Sequence, residues 1–464
     1  MLTFRQLSQF ITVSASLYLV GCTPEIIEVN CRPPQNSPSS PSTPTELREV
    51  RIGVDGSLSM LGYVKPGQTN YTRALDAVRS AASSGFNGVK LSYVRVGLLP
   101  SLPGSSSIQD IDSGEYLQAK SAEFYSVGNR LFPNVTSNLK AFFETHNEDQ
   151  FSIFLTDLQP NASDVTSMTR SLQKFFSSSP DFAFGVVGVR SQFDDRVYYE
   201  EGGALSSFTY KTQPNGDVST FRPVYILFLG TFEVVLEQIQ DTLSFLDPQE
   251  KFTEVSIFSS SDTIQSVGMV DTNISLDLGQ VSRGRITDVP TLQVGTLRVV
   301  STSNDYRLLL ARTDWQDSVS INETVSGFQQ GTYTLIPDWK KITFETTDAN
   351  GKVLPVSTVI NQELLMEQTD NLRFQAQLDP SALEPGEIQF VKVQASLGGF
   401  VEPEWWQMWD WSTREKREEN DTQDGSKTYN LLLFLREMSL TQFKQMPEEQ
   451  RVVGNFCFAI GRQQ

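Results

Sequence analysis

Arg51-Ile52-Gly53-Val54-Asp55-Gly56-Ser57-Leu58-Ser59-Met60 is a short apolar run that ends in an aspartate followed by two hydroxyls at alternate positions. Val50 to Val54 reads as a buried strand, so Asp55 stands at its carboxyl end. A carboxylate and two hydroxyls gathered there offer oxygen ligands around one point. Hard divalent ions such as Mg²⁺ take such ligands, at roughly 2.0–2.1 Å in octahedral geometry.

Outward from this stretch, apolar segments alternate between the two periodicities. Tyr71 to Ala82 carries Ala74, Leu75, Val78 and Ala81 at helical spacing, and Leu91 to Gly97 is a second strand. Pro100 to Arg130 is turn-rich and reads as an insertion with a short helix around Glu115 to Phe124. Thr136 to Thr145 is a predicted helix, Phe151 to Thr156 a strand ending in Asp157, and Val165 to Phe176 a helix. Phe182 to Val189 and Val224 to Leu229 are further strands, and Phe232 to Leu246 closes the set as a helix. Strands alternating with helices predict an α/β doubly wound, mostly parallel sheet covered on both faces, over residues 48–250.

Beyond Phe252 the pattern is of short alternating segments, among them Ile274 to Leu278, Leu297 to Thr302, Lys341 to Glu345 and Glu387 to Ala395, with turns such as Ala349-Asn350-Gly351 between them. This predicts an all-β, sandwich-like domain over 251–400. Residues 401–464 form a Trp-rich α+β segment, with Trp405, Trp406, Trp409 and Trp411 followed by a helix from Tyr429 to Met438 and a strand from Val452 to Ile460. Such a cluster packs as an apolar plug more often than it stacks on sugars.

The first 21 residues have the form of a signal peptide: Arg5, an apolar run from Phe10 to Val20, then Leu19-Val20-Gly21-Cys22. The run is short of the about 20 apolar residues a permanent span needs. Its last four residues resemble the bacterial lipobox, which implies an acylated Cys22 as the first mature residue and a lipid anchor in the cell envelope. Thr23 rather than Asp after the cysteine points, by that family's rule, to the outer membrane or cell surface. Residues 22–47, rich in Pro, Ser and Asn, cannot bury enough apolar surface to order themselves and read as a tether. Cys31 and Cys457 remain; an extracytoplasmic disulfide between them is chemically permitted, and a buried free thiol at Cys457 is the simpler alternative.

Composition narrows function. The chain has 464 residues, so more than one domain is expected, and its net charge of −18 argues against nucleic acid as a partner. Its one histidine, His146, leaves serine triads and imidazole zinc sites without their usual residue. No phosphate loop, dinucleotide fingerprint or GxSxG occurs, and the paired acids Asp194-Asp195 and Glu200-Glu201 read as solvated surface.

Asp55-Gly56-Ser57-Leu58-Ser59 with Met60, and Phe154-Leu155-Thr156-Asp157 at the end of a later strand, resemble the von Willebrand factor type A domain and its metal-ion-dependent adhesion site. The resemblance covers about residues 48–247. It implies that Asp55, Ser57, Ser59, Thr136 and Asp157 hold Mg²⁺, Mn²⁺ or Ca²⁺, with an open position for the carboxylate of a protein ligand and no catalytic residue. Leu158 stands where the family has glycine. Without a metal, Ser57 and Ser59 would cap the following helix and Asp157 would be a turn residue. Two alternatives remain: an envelope enzyme or enzyme accessory using the Asp-lined crevice for phosphate or sugar chemistry, and a structural envelope protein with an empty site.

Overall fold

The computed structural model describes residues 47–259, apart from 100–106 and gaps of one or two residues, then a set of strands from 308 onward together with residues 388–411, 423–446 and 451–462. The predicted signal segment, the predicted tether with Cys22 and Cys31, and the strands predicted at 274–278 and 297–302 lie outside the described residues.

The amino-terminal part contains β1 (Glu49–Asp55), α1 (Asn70–Gly85), β2 (Lys90–Val96), β3 (Ile108–Ile111), α2 (Ser113–Leu117), α3 (Leu139–Glu144), β4 (Gln150–Thr156) and α4 (Ala162–Ser178). It continues with β5 (Phe182–Ser191), β6 (Asp194–Glu201), β7 (Ala204–Lys211), β8 (Arg222–Thr231), α5 (Phe232–Leu246) and β9 (Thr253–Ser259). Seven strands form one sheet in the order β3-β2-β1-β4-β8-β5-β9. β1 is parallel to both β2 and β4, so strand order reverses between β1 and β4, the position where sheets of this kind have their ligand crevice, beyond the strands' carboxyl ends.

The sheet is mixed. β8 runs against β4 and β5 runs against β8, so β1, β2, β4 and β5 point one way while β3, β8 and β9 point the other. The alternation of strands and helices predicts instead a parallel neighbour at β8. Its direction is reversed because β5 leads into the antiparallel β6–β7 ribbon rather than into a crossover helix, and the chain returns alongside β5. That ribbon is polar and absent from the sequence reading. Two of its acids are ion-paired, Asp195 with Lys65 at 2.6 Å and Asp194 with Lys211 at 2.5 Å.

All seven residues of β4 and all ten of β5 are buried, which requires cover on both faces. One face is closed by α1 and α5 through Ala74, Leu75 and Val78 with Val235, Ile239 and Leu243. α1 starts at a reciprocal capping box between Thr69 and Thr72. The other face is closed by α3 and α4 and, from the far end of the chain, by the tryptophans and a last helix.

The strands β10 (Leu308–Thr313), β11 (Val319–Val325), β12 (Pro337–Asp338), β13 (Lys341–Asp348), β14 (Ile360–Asn361), β15 (Leu372–Leu378), β16 (Ile388–Ser396) and β17 (Gly399–Phe400) follow. Then come α6 (Glu404–Met408), β18 (Asp410–Trp411), β19 (Thr428–Tyr429), α7 (Leu431–Gln445) and β20 (Val452–Arg462). Four of these strands form a sheet in the order β10-β20-β16-β13, and β11-β15-β14 form another. The 401–464 segment therefore serves two places. β20, which contains Cys457, pairs with β10 and β16. α6 and α7 pack on the first sheet: Trp406 is fully buried against Phe258 and donates its Nε1 hydrogen to Ser256 Oγ at 3.1 Å. Trp409 lies against Gly188, with the Arg190 guanidinium 4.3 Å from its ring centre. The tryptophans are a wall of the α/β core and not an open platform.

Candidate functional site

The site is built where β1 and β4 end. Asp55 is 1 % exposed and accepts three hydrogen bonds: from the Ser57 amide to Oδ1 at 2.9 Å, and to Oδ2 from Ser137 Oγ at 2.9 Å and Thr156 Oγ1 at 3.0 Å. The turn after it depends on Gly56. A Cβ there would lie 2.5 Å from Arg95 Nε, because the buried guanidinium packs against the turn and donates to Gly56 O at 2.9 Å. Arg95 also donates to Phe124 O and lies over the rings of Phe124 and Phe132, so the loop carrying Ser57 and Ser59 rests on a fixed cation.

Ser57 precedes the 3₁₀ turn Leu58–Tyr63 as its cap residue, yet its side chain makes no capping bond. Its hydroxyl instead shares a 2.9 Å hydrogen bond with Ser59 Oγ. The cap of α1 is Thr69, so neither serine is used in the way a capping role requires.

Across the crevice, Asp157 is 2 % exposed and Ser59 hydrogen-bonds to its carboxyl. Leu158 follows with φ of 44°, in the left-handed region that favours glycine, and its amide donates to Thr156 Oγ1 at 3.1 Å. The backbone shape of the Thr-Asp turn is thus kept with leucine, whose side chain is fully buried. An L-residue in this conformation costs roughly 1–2 kcal/mol.

Of the residues read from the sequence, Asp55, Ser57, Ser59 and Asp157 are brought together and Thr136 is not. Thr136 is bridged to Leu98 in both backbone directions, and its hydroxyl donates to Leu98 O at 3.4 Å. The hydroxyl that reaches Asp55 from this loop belongs to the next residue, Ser137. α3 begins at Leu139, later than predicted, so positions 136 and 137 are extended chain whose side chains point oppositely.

Arg222 has no counterpart in the sequence reading. It opens β8, and an antiparallel β8 places its amino end beside the carboxyl end of β4. Arg222 is 1 % exposed, with Nη2 3.8 Å from Asp157 Oδ2, too far for a hydrogen bond. Asp157 Oδ2 and the Nε and Nη2 of Arg222 are buried atoms with no hydrogen-bond partner. Burial pushes the Asp157 carboxyl well above the usual carboxylate range; Arg222 opposes the shift, Asp55 adds to it and the Ser59 hydrogen bond opposes it.

His146, the sole histidine of the chain, takes no part. It sits near the start of β4, with Nδ1 2.9 Å from Ser152 Oγ and its ring against Phe175 and Phe182. The described crevice therefore holds two carboxylates and serine and threonine hydroxyls, oxygen donors suited to hard cations, beside a guanidinium that is itself a cation. Among the described residues no three His, Cys, Asp or Glu side chains gather as a ligand group, and no helix is long and apolar enough to cross a membrane. No protein-family model matches the chain, and no curated protein or solved structure matches it.

Proposed function

We propose that this chain is a lipid-anchored envelope protein that binds a protein partner through a divalent cation, Mg²⁺, Mn²⁺ or Ca²⁺, in the manner of von Willebrand factor type A domains. Asp55, Ser57, Ser59, Ser137 and Asp157 would hold the ion, with Ser137 in the place expected of Thr136. The observation that carries the reading is the convergence of these groups at the point where strand order reverses, with a buried carboxylate oxygen, Asp157 Oδ2, that has no hydrogen-bond partner. Such an atom costs about 1–3 kcal/mol unless something satisfies it, and a cation does so directly. Hydroxyl ligands add no charge, which leaves the ion able to accept the carboxylate of a partner. The all-β region and the tether would then serve to present this site away from the membrane.

Arg222 favours a second reading, in which the guanidinium is itself the cation of the crevice and the cluster is structural. Thermal unfolding of the full chain during Mn²⁺ titration separates the two. At about a hundredfold excess over Kd, binding adds about 2.7 kcal/mol to stability. For a domain of this size that is a rise of roughly 5–10 °C. Asp55→Ala and Ser137→Ala should lose or blunt the rise, and Thr136→Val should keep it. A titration that is flat in the wild type and in Arg222→Met alike rejects the cation site in favour of the structural cluster.

A further inference from the structure

Arg222 faces two ways. Its Nη2 points at Asp157, while its Nη1 donates to the carbonyls of Gly425 at 3.1 Å and Lys427 at 3.4 Å. The segment it holds, Asp424 to Thr428, returns from the far end of the chain. Ser426 turns back on Asp424 Oδ1 at 2.9 Å, and Arg190 donates to Ser426 O. Thr428 is joined by its amide to Trp409 O at 2.8 Å and by its hydroxyl to Tyr225 Oη at 2.9 Å. Gly425 lies flat on the Tyr210 ring, where an added Cβ would fall 2.1 Å from the nearest ring carbon.

We propose that Arg222 is the resident cation of the crevice, held there by the 424–428 segment, so that a divalent ion at Asp157 and docking of that segment oppose one another. The inference rests on the cation-site reading above. A dication beside Asp157 repels a guanidinium 3.8 Å from the same carboxylate. Arg222, 1 % exposed, then keeps two carbonyls and the face of the Phe193 ring, 5.2 Å away, as compensation for its burial. The least costly relief is to loosen the segment and let the guanidinium reach water. Linkage makes the effect reciprocal: the factor by which the cation favours the undocked segment is the factor by which the undocked protein binds the cation more tightly.

The test is Mn²⁺ calorimetry on the full chain, on Gly425→Ala and on Arg222→Met, with Asp55→Ala as the control that abolishes the site. Gly425→Ala displaces the segment from Tyr210 without altering any of the proposed cation ligands. It should bind Mn²⁺ more tightly, within the roughly 5- to 150-fold range of such couplings, and Arg222→Met should follow it. A readout that needs no variant is trypsin cleavage after Lys427 in the wild type, which should quicken in saturating Mn²⁺. Binding by the two variants and not by wild type also supports the proposal. Equal affinity in all three, or a cut at Lys427 that slows or stays unchanged when Mn²⁺ binds, overturns it while leaving the cation site standing. Absence of Mn²⁺ binding in wild type and in both variants overturns both.

Discussion

Protonation of His146 should destabilise the fold as pH falls. The imidazole is 6 % exposed, its Nδ1 is 2.9 Å from Ser152 Oγ, and its ring meets Phe175 edge-on at 5.0 Å. Burial, reinforced by nearby Arg51, lowers its pKa from 6.5 to about 4. Between those values the unfolded chain binds a proton that the folded chain refuses, so stability falls as pH drops through that window. At 1.36 kcal/mol per pH unit, the interval from 6.5 to about 4 sets a ceiling of about 3 kcal/mol. Because the chain has one histidine, a single imidazole resonance followed by NMR reads the pKa directly. Urea unfolding from pH 7 to 4, on wild type and on His146→Phe, reads its energetic consequence. The variant keeps the aromatic packing and loses the Ser152 contact, so it should cost about 1 kcal/mol at pH 7. Below pH 6.5 the wild type should lose stability faster than the variant, whose remaining slope comes from carboxylates alone. An imidazole titrating at 6.5 or above, or parallel slopes in the two proteins, refutes the reasoning.

Trp406→Ala removes a fully buried ring and leaves Ser256 Oγ without its indole donor. A fall of about 3–5 kcal/mol in unfolding free energy is expected from denaturant titration, whereas a solvent-facing ring would change it by less than about 0.5 kcal/mol. For the proposed anchor, labelled fatty acid should enter the wild-type protein and not Cys22→Ser, and the variant should leave the membrane fraction. Absence of label in wild type would remove the lipid anchor from the proposal.

The β1 reading held because it depends on local chemistry. An apolar strand that ends in Asp55, and a second that ends in Thr156 and Asp157, each carry their periodicity in a few adjacent residues. Helices α1, α4 and α5 were legible for the same reason, since their apolar faces repeat at helical spacing. The choice between Thr136 and Ser137 was beyond such reasoning. Both are hydroxyls in one loop, and which of them turns inward follows from the bridge between Thr136 and Leu98, residues far apart in sequence. The β6–β7 ribbon escaped notice because solvent-facing strands lack a continuous apolar run.

What the sequence by itself determined is the set of oxygen donors at the ends of β1 and β4, and the alternation of elements that makes an α/β sheet. What only the tertiary structure decided is the company those donors keep. Periodicity reports that Val224 to Leu229 is a strand but is blind to its direction, because a side-chain repeat of two reads the same both ways. Running antiparallel, β8 delivers Arg222 rather than Thr231 to the carboxyl end of β4. Buried area likewise cannot say which residues do the burying, and it is the distant Trp406 and α7 that complete the second face. A guanidinium beside Asp157 and a carboxyl-terminal segment closing over it are therefore properties of the fold, set by strand direction and long-range packing.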